Sequence, residues 1–468
     1  MLERLDLSLK RIREIKIEKK LRKEYQAYFE KTAEFLLQIE ENRQWILAGN
    51  LQKAEGEELV RRNKELYQDI LPENYETSYA NPSYAVQALG DDLGVLCSVL
   101  YTEVRSLIPF VYERNLEEMT IRLELFLEVY NLFDCKINED GMVPAAEELR
   151  ELLYWYVSDY SDIETERRVK EQVDSSLTFA TDIIMQNDYS DVKYLYAYGE
   201  RVTENEIKTA EYIHSLPDET IEKMAFTFTE GYRKGFEAAG KDLSKKDTVN
   251  IRYRLGFERV IKKAIEYFAG MGLKPVIYRT GADIFTRKAA GKIGYYGAVA
   301  NPQYDYDHRE DMACFFDGHM VTRRLECLTA AYEEYKEAAA KHAGPACMEV
   351  FGEEIFEPAP KSANPHYSEE QQKLVVDYTS QAGMITNTYI KREERSFTII
   401  AFPVAEIGEN FPAIFEEGIK LARTMEKELD KIEGKIQILM NEPVPQAKDN
   451  SPQLDLFSEP TEVTGTRQ

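Results

Sequence analysis

The stretch 304–319, YDYDHREDMACFFDGH, gathers a dense set of side chains that could do chemistry. Asp305, Asp307, His308 and Asp311 lie close together, and Asp317 and His319 follow. Carboxylates and imidazoles are the ordinary donors of divalent-metal sites. On a helix, Asp307 and Asp311 would share a face, one turn apart. A simpler role suits the same residues. Asp307 and Glu310 have capping-box spacing, and acids favour the positive end of a helix. The calcium-loop pattern fails, because Arg309 and Glu310 stand where a liganding oxygen and a glycine belong. The expectation is that Asp307 opens a long helix over about 309–342. A metal held by Asp305, Asp307, His308 and Asp311 is the weaker alternative.

Other catalytic patterns are missing from the sequence. The histidines at 214, 308, 319, 342 and 366 form no HExxH pair. The glycines at 291, 294 and 297 in GKIGYYGA lack the spacing of a dinucleotide loop, and a hairpin or turn is expected there. No serine sits in a GxSxG elbow. Cys314 and Cys327 lie among apolar residues and read as inert buried thiols. The cysteines number 5 and include no CxxC pair, so a reducing cytoplasm is expected. The formal net charge of -25 repels phosphate backbones and argues against broad nucleic-acid binding. The charged N-terminal text does not read as a signal peptide, and no transmembrane span is expected. The basic stretch KRIREIKIEKKLRKE (10–24) reads as a solvated helix face.

The elements that must position these residues fall into three regions. Residues 1–215 carry helical periodicity almost throughout. Tyr25, Phe29, Ala33, Leu36 and Ile39 follow one face, a helix junction is expected near Arg114–Asn115, Pro144 fits a first turn, and Thr203 with Glu206 has capping-box spacing. Residues 216–440 read as α/β. TVNIRY (248–253), an amphipathic helix ending near Gly270 and Gly272, and KPVIYR (274–279) form a strand–helix–strand unit of a parallel sheet. IGYYGAV (293–299) and SFTIIAFPV (396–404) are further strands, and a last helix is expected near 411–439. Residues 441–468 are rich in Pro, Ser, Asn, Thr and acids and are expected to be disordered. The fold class is thus an all-helical domain followed by an α/β domain with a small, mainly parallel sheet.

Several blocks in order resemble one family. FTEGYRKGFEAAGKDLSKKDTVNIRYRLGFERVIKKAIEYFAGMGLKPVIYR, IGYYGAVANPQYDYDHREDMACFFDGH and EERSFTIIAFPVAEIG look like the first half of clostridial leucyl aminopeptidases of the aminopeptidase T family, and DILPENYETSYANPSYAVQALGDDLG resembles their helical extension. The resemblance covers about residues 1–435. It implies a metal-dependent exopeptidase whose catalytic domain, with two metals, follows the SFTIIAFPVAEIG block. Here the expected disordered tail begins about where that domain belongs, and no histidine follows residue 410. No family ligand can be carried onto a position of this chain. No catalytic residue and no cofactor are therefore expected.

Within the tail, Gln453, Leu454, Asp455, Leu456 and Phe457 spell QLDLF, which resembles the peptide that docks bacterial replication proteins on the DNA polymerase sliding clamp. Gln453 would place its amide on backbone groups, Leu454 would fix the strand, Leu456 and Phe457 would fill a pocket, and Asp455 would stay in solvent. The expected function is a non-catalytic, aminopeptidase-like protein that binds partners, including a clamp, through this tail. The alternative is a metal-dependent aminopeptidase whose catalytic part comes from another chain or from the 305–319 cluster. A homodimer built on the helical domain remains a third reading.

Overall fold

The computed structural model describes residues 1–281, 283–287 and 293–420. Among them it has 18 complete α-helices, the start of a further one at 411–420, and one five-stranded sheet in which every pairing is parallel. The strands are β1 (Thr248–Arg254), β2 (Lys274–Val276), β3 (Tyr295–Tyr296), β4 (His342–Phe351) and β5 (Thr398–Pro403). Their order is β2-β1-β4-β5, with β3 joining the end of β1 through Tyr253↔Tyr295 and Arg254↔Tyr296.

The expected strand–helix–strand unit is present. Glu258–Gly270 buries Val260, Ile261, Ala264, Ile265 and Phe268 on one face and links β1 to β2. Gly272 then supplies a positive φ that lets the chain turn back. The junction near Arg114 is also as expected: Arg114 is left-handed, and the Asn115 side chain accepts from Glu118 N at the head of Leu116–Asp140. Thr203 and Glu206 form their capping box. Pro144 lies just ahead of Ala146–Asp159 instead of inside its first turn.

Three expectations need correction. The long helix over 309–342 is broken into a 3-10 turn (Asp311–Cys314), a helix (Gly318–Glu334) and a short helix (Lys336–Ala340). Its cap is Asp317, whose Oδ1 accepts from Met320 N at 2.8 Å, so Asp307 does not open it. His342, placed at the end of that helix, begins β4, the strand between β1 and β5. Residues 342–348 are buried in unbroken succession, so no alternation marks the strand. GKIGYYGA holds no hairpin among its described residues. Gly294 brings its backbone against Tyr278 and Arg279, and Tyr295 pairs parallel to Arg279. A further helix, Glu369–Tyr389, has no fully buried residue, which explains its weak sequence signal. The expected last helix is present over 411–420; its remainder lies outside the described residues.

The cores interleave along the chain. The first is built from helices between Leu2 and Asp159 but also takes in Ile284, Phe285, Tyr304, Phe315, Phe316 and Met320. The second wraps the sheet and draws on helices between Phe179 and Ala238, on Glu258–Gly270, and on Phe411 and Phe415. The apolar stretch Asp91–Tyr112 is long enough for a membrane by composition, yet 94% of its window is buried in the protein. The basic N-terminal stretch pairs with acids of its own chain: Arg11 with Glu18 at 2.7 Å and Lys20 with Glu18 at 3.2 Å.

Candidate functional site

Asp307, His308 and Asp311 do meet in space, but around a buried fastening. Asn301 caps Pro302–Asp307 by accepting from Gln303 N, and Asp307 closes this short helix. Both Asp307 oxygens are used. Oδ2 accepts from Tyr75 Oη (2.7 Å) and Lys361 Nζ (2.5 Å), and Oδ1 accepts from Gln303 Nε2 (2.7 Å) and Asn364 Nδ2 (3.0 Å). Burial, with Asp307 adding to it, pushes the Tyr75 hydroxyl far above its ordinary range, so it stays a donor. His308 Nδ1 faces Asp311 Oδ2 at 2.9 Å, and Nε2 faces Ala80 O at 2.6 Å and Thr102 Oγ1 at 3.0 Å. Asp311 also pairs with Arg287 at 3.2 Å.

Asp305 is exposed, Asp317 is spent on its cap, and His319 is exposed. Among the described residues, no group of three His, Cys, Asp or Glu side chains is arranged to hold a metal. The cluster's chemistry is that of a clasp. It joins the 75–81 turn, the 302–311 segment and the 361–364 return.

The burial of Cys314 pushes its thiol up to about 12, and burial likewise raises Cys327. Both are protonated at neutral pH, consistent with inert thiols.

A second polar centre has no counterpart in the sequence reading. Arg122, fully buried, donates to Ser106 Oγ (2.6 Å), Glu118 Oε2 (2.5 Å) and Glu164 Oε1 (3.0 Å), with Glu103 at 3.2 Å and Asp283 at 3.6 Å. Arg167 reinforces it at Glu118 (2.7 Å), Asp283 (3.1 Å) and Glu164. Phe110 lies beneath both guanidinium groups. Burial pushes Glu103 up to about 7 against the pull of Arg122. Burial acts the same way on Asp283, but Arg167 and Arg122 overcome it and hold this acid at about 2. Beside the centre, a cavity of about 10 Å³ between Phe110, Arg168, Arg279 and Thr280 has room for one water. The only sequence signal was an arginine inside the apolar run MTIRLELF.

The exposed apolar surface lies elsewhere. Sheet residues paired in register share a face, so Cys347, Glu349 and Phe351 of β4 line up with Ile399 and Ala401 of β5. Glu349, Phe351, Ile399 (50% exposed) and Ala401 leave that half of the face open. Beyond Phe351 the loop reaches Ile355, 96% exposed, among Glu353, Glu354 and Glu357. An open groove of about 650 Å³ runs between Gly318–Glu334 and Glu369–Tyr389, floored by Val321, Leu325, Leu374 and Ile385. The tail residues Gln453, Leu454, Asp455, Leu456 and Phe457 lie outside the described residues.

No protein-family model matches the chain, and no curated protein or solved structure is significantly similar to it.

Proposed function

We propose that this chain is an aminopeptidase-T-like protein that works by binding other proteins and does not hydrolyse peptides by itself. The observation that carries this reading is the saturation of the 305–311 cluster. The lone pairs and protons that catalysis would need from Asp307, His308 and Asp311 are directed at Tyr75, Lys361, Asn364, Ala80, Thr102 and Arg287. The tail motif Gln453–Phe457 is the proposed docking element, and a bacterial sliding clamp is its proposed partner. A short apolar peptide orders few residues on binding, which keeps the entropic cost low.

The test is calorimetric titration of a peptide spanning 446–462 into a purified bacterial sliding clamp, beside a Leu456→Ala/Phe457→Ala control. Low-micromolar binding that the control loses supports the reading. No heat with the parent peptide overturns the clamp assignment.

One observation favours the second reading, an aminopeptidase completed by another polypeptide. Parallel sheets normally have both faces covered, and the β4–β5 half-face is open. Leucine release from peptides that is absent from the purified chain with added zinc, manganese or cobalt, but appears when a co-purifying polypeptide is added back, would replace the first reading with this one.

A further inference from the structure

The beginning of the sheet brings together the buried Lys246 and Arg395 and the half-buried Arg252. Lys246, Thr248, Asn250 and Arg252 alternate along β1 and its lead-in, and Thr248 pairs with His342 on β4. Arg395 stands just before Ser396, whose amide donates to Ala343 O. Lys246 Nζ donates to Ala340 O (2.8 Å) and pairs with Glu394 (3.0 Å), a carboxylate that Lys391 shares at 3.3 Å. Arg252 makes one hydrogen bond, from Nε to Asn250 Oδ1 at 2.7 Å, and no carboxylate lies within ion-pair distance of it among the described residues. The opposite end of β1 is different, for Arg254 is neutralised by Glu206, Glu353 and Glu406.

Two buried polar atoms at this place have no partner: His342 Nδ1 and Thr248 Oγ1. Their residues are 3% and 5% exposed and adjacent across the β1–β4 ladder. An orphaned buried polar atom is costly, so two on residues paired across the ladder call for a partner.

We propose that His342, Thr248 and Arg252 form a phosphate site, with Lys246 and Arg395 supplying positive field. Burial, then Arg395, Arg252 and Lys246, push the His342 imidazole down to about 3, so at neutral pH it is an uncharged ring able to donate one N–H. Thr248, Asn250 and Arg252 alternate onto one side of β1, and the Asn250 amide that holds Arg252 Nε at 2.7 Å is fixed in turn by donating to Val276 O at 3.1 Å. A phosphate would accept from Nδ1–H, from Oγ1–H and from the two free guanidinium amines. Access is from the open half-face, since Arg252 pairs with Cys347, which pairs with the half-exposed Ile399. The site is independent of the tail and of the clamp reading.

The test uses the full chain in a phosphate-free buffer with histidine ring carbons labelled. Inorganic phosphate and ribose 5-phosphate are titrated at constant ionic strength, with chloride as the control. The expected result is a saturable shift of the His342 resonance with Kd below about 1 mM, weakened at least about tenfold in Arg252→Gln and in Thr248→Val. Equal affinity for both probes identifies free phosphate as the ligand, and tighter binding of the ester identifies a phosphorylated small molecule. No saturable shift, or one of equal affinity in both variants, overturns the proposal.

Discussion

Replacing Arg122 by leucine tests whether the buried ionic centre holds the helical core together. The guanidinium is fully buried and meets Glu103, Glu118, Glu164 and Asp283, which come from three helices and the 283–287 segment. In Arg122→Leu, Arg167 still serves Glu118, Glu164 and Asp283, but Glu103 loses the guanidinium at 3.2 Å and Ser106 Oγ loses its donor. Removing one side of a buried pair costs about 3–5 kcal/mol, because the remaining charge stays desolvated. For a core of this size that lowers Tm by roughly 6–20 °C. The loss depends on pH with a definite sign. Arg122 is the main group holding Glu103 down against burial, so without it Glu103 takes its proton at higher pH. A neutral Glu103 needs no guanidinium, and the deficit of the variant is therefore smaller at pH 5 than at pH 8. Urea unfolding of wild type and Arg122→Leu at both pH values gives the two differences. A loss below about 1 kcal/mol, or one equal at both pH values, refutes the reasoning.

Three further outcomes follow from the same geometry. Glu103 has its folded value raised from 4.5 to about 7, so its stabilising contribution is complete below pH 4.5 and is lost as pH rises through 7, a difference of roughly 3 kcal/mol. Glu103→Gln removes that part of the stability slope between pH 5 and 8.5 in urea titrations; an unchanged slope counts against the assignment. Asp307→Ala leaves Tyr75, Lys361, Gln303 and Asn364 without their shared acceptor and should destabilise the fold by about 3 kcal/mol or more, whereas a Tm within 1 °C of wild type would show the clasp to be dispensable. Among the described residues, limited proteolysis should cut first within 353–360, where every residue is exposed, and Asp307→Ala should speed that cut because Lys361 and Asn364 anchor the end of the loop. First cleavage inside a buried helix would contradict the burial pattern.

What could be read in the sequence was what local chemistry writes. The β1–helix–β2 unit showed itself because Val260, Ile261, Ala264, Ile265 and Phe268 repeat at helical spacing beside Gly272. The Thr203–Glu206 box needs only neighbours three residues apart. Strand β4 was hidden by burial on both faces, and because Gly344 and Pro345 look like a breaker. The glycine is required there, since its left-handed backbone lies against Ser396 O, where no Cβ fits. At the 305–311 cluster, the sequence places the acids and His308 together but not their partners. Tyr75 is 232 residues from Asp307, and Lys361 is 54. Whether a carboxylate is free or spent depends on those distant groups, and no spacing rule reports them. The Arg122 centre is hidden for the same reason.

Apolar residues of similar volume would be at least as stabilising as the Arg122 centre, because desolvating five charged groups costs about as much as their attraction returns. What the ionic version adds is direction. A leucine at 122 would accept many packings of its neighbours, whereas a planar fork fixes where Glu118, Glu164 and Ser106 stand. The path of the chain makes such direction useful. After β2 the backbone leaves the sheet, buries Ile284 and Phe285 in the helical core, touches the end of β1 as β3, threads 302–321 through the helical core, and then returns to lay β4 against β1. A misplaced 283–287 segment would therefore misplace the strand at the middle of the sheet. Asp283 and the Ile284 amide are the points where this excursion enters, and they end on Arg122, Arg167 and Glu103. The buried charges act as the register mark for that entry, which is why the variant to watch is one that keeps volume and loses direction.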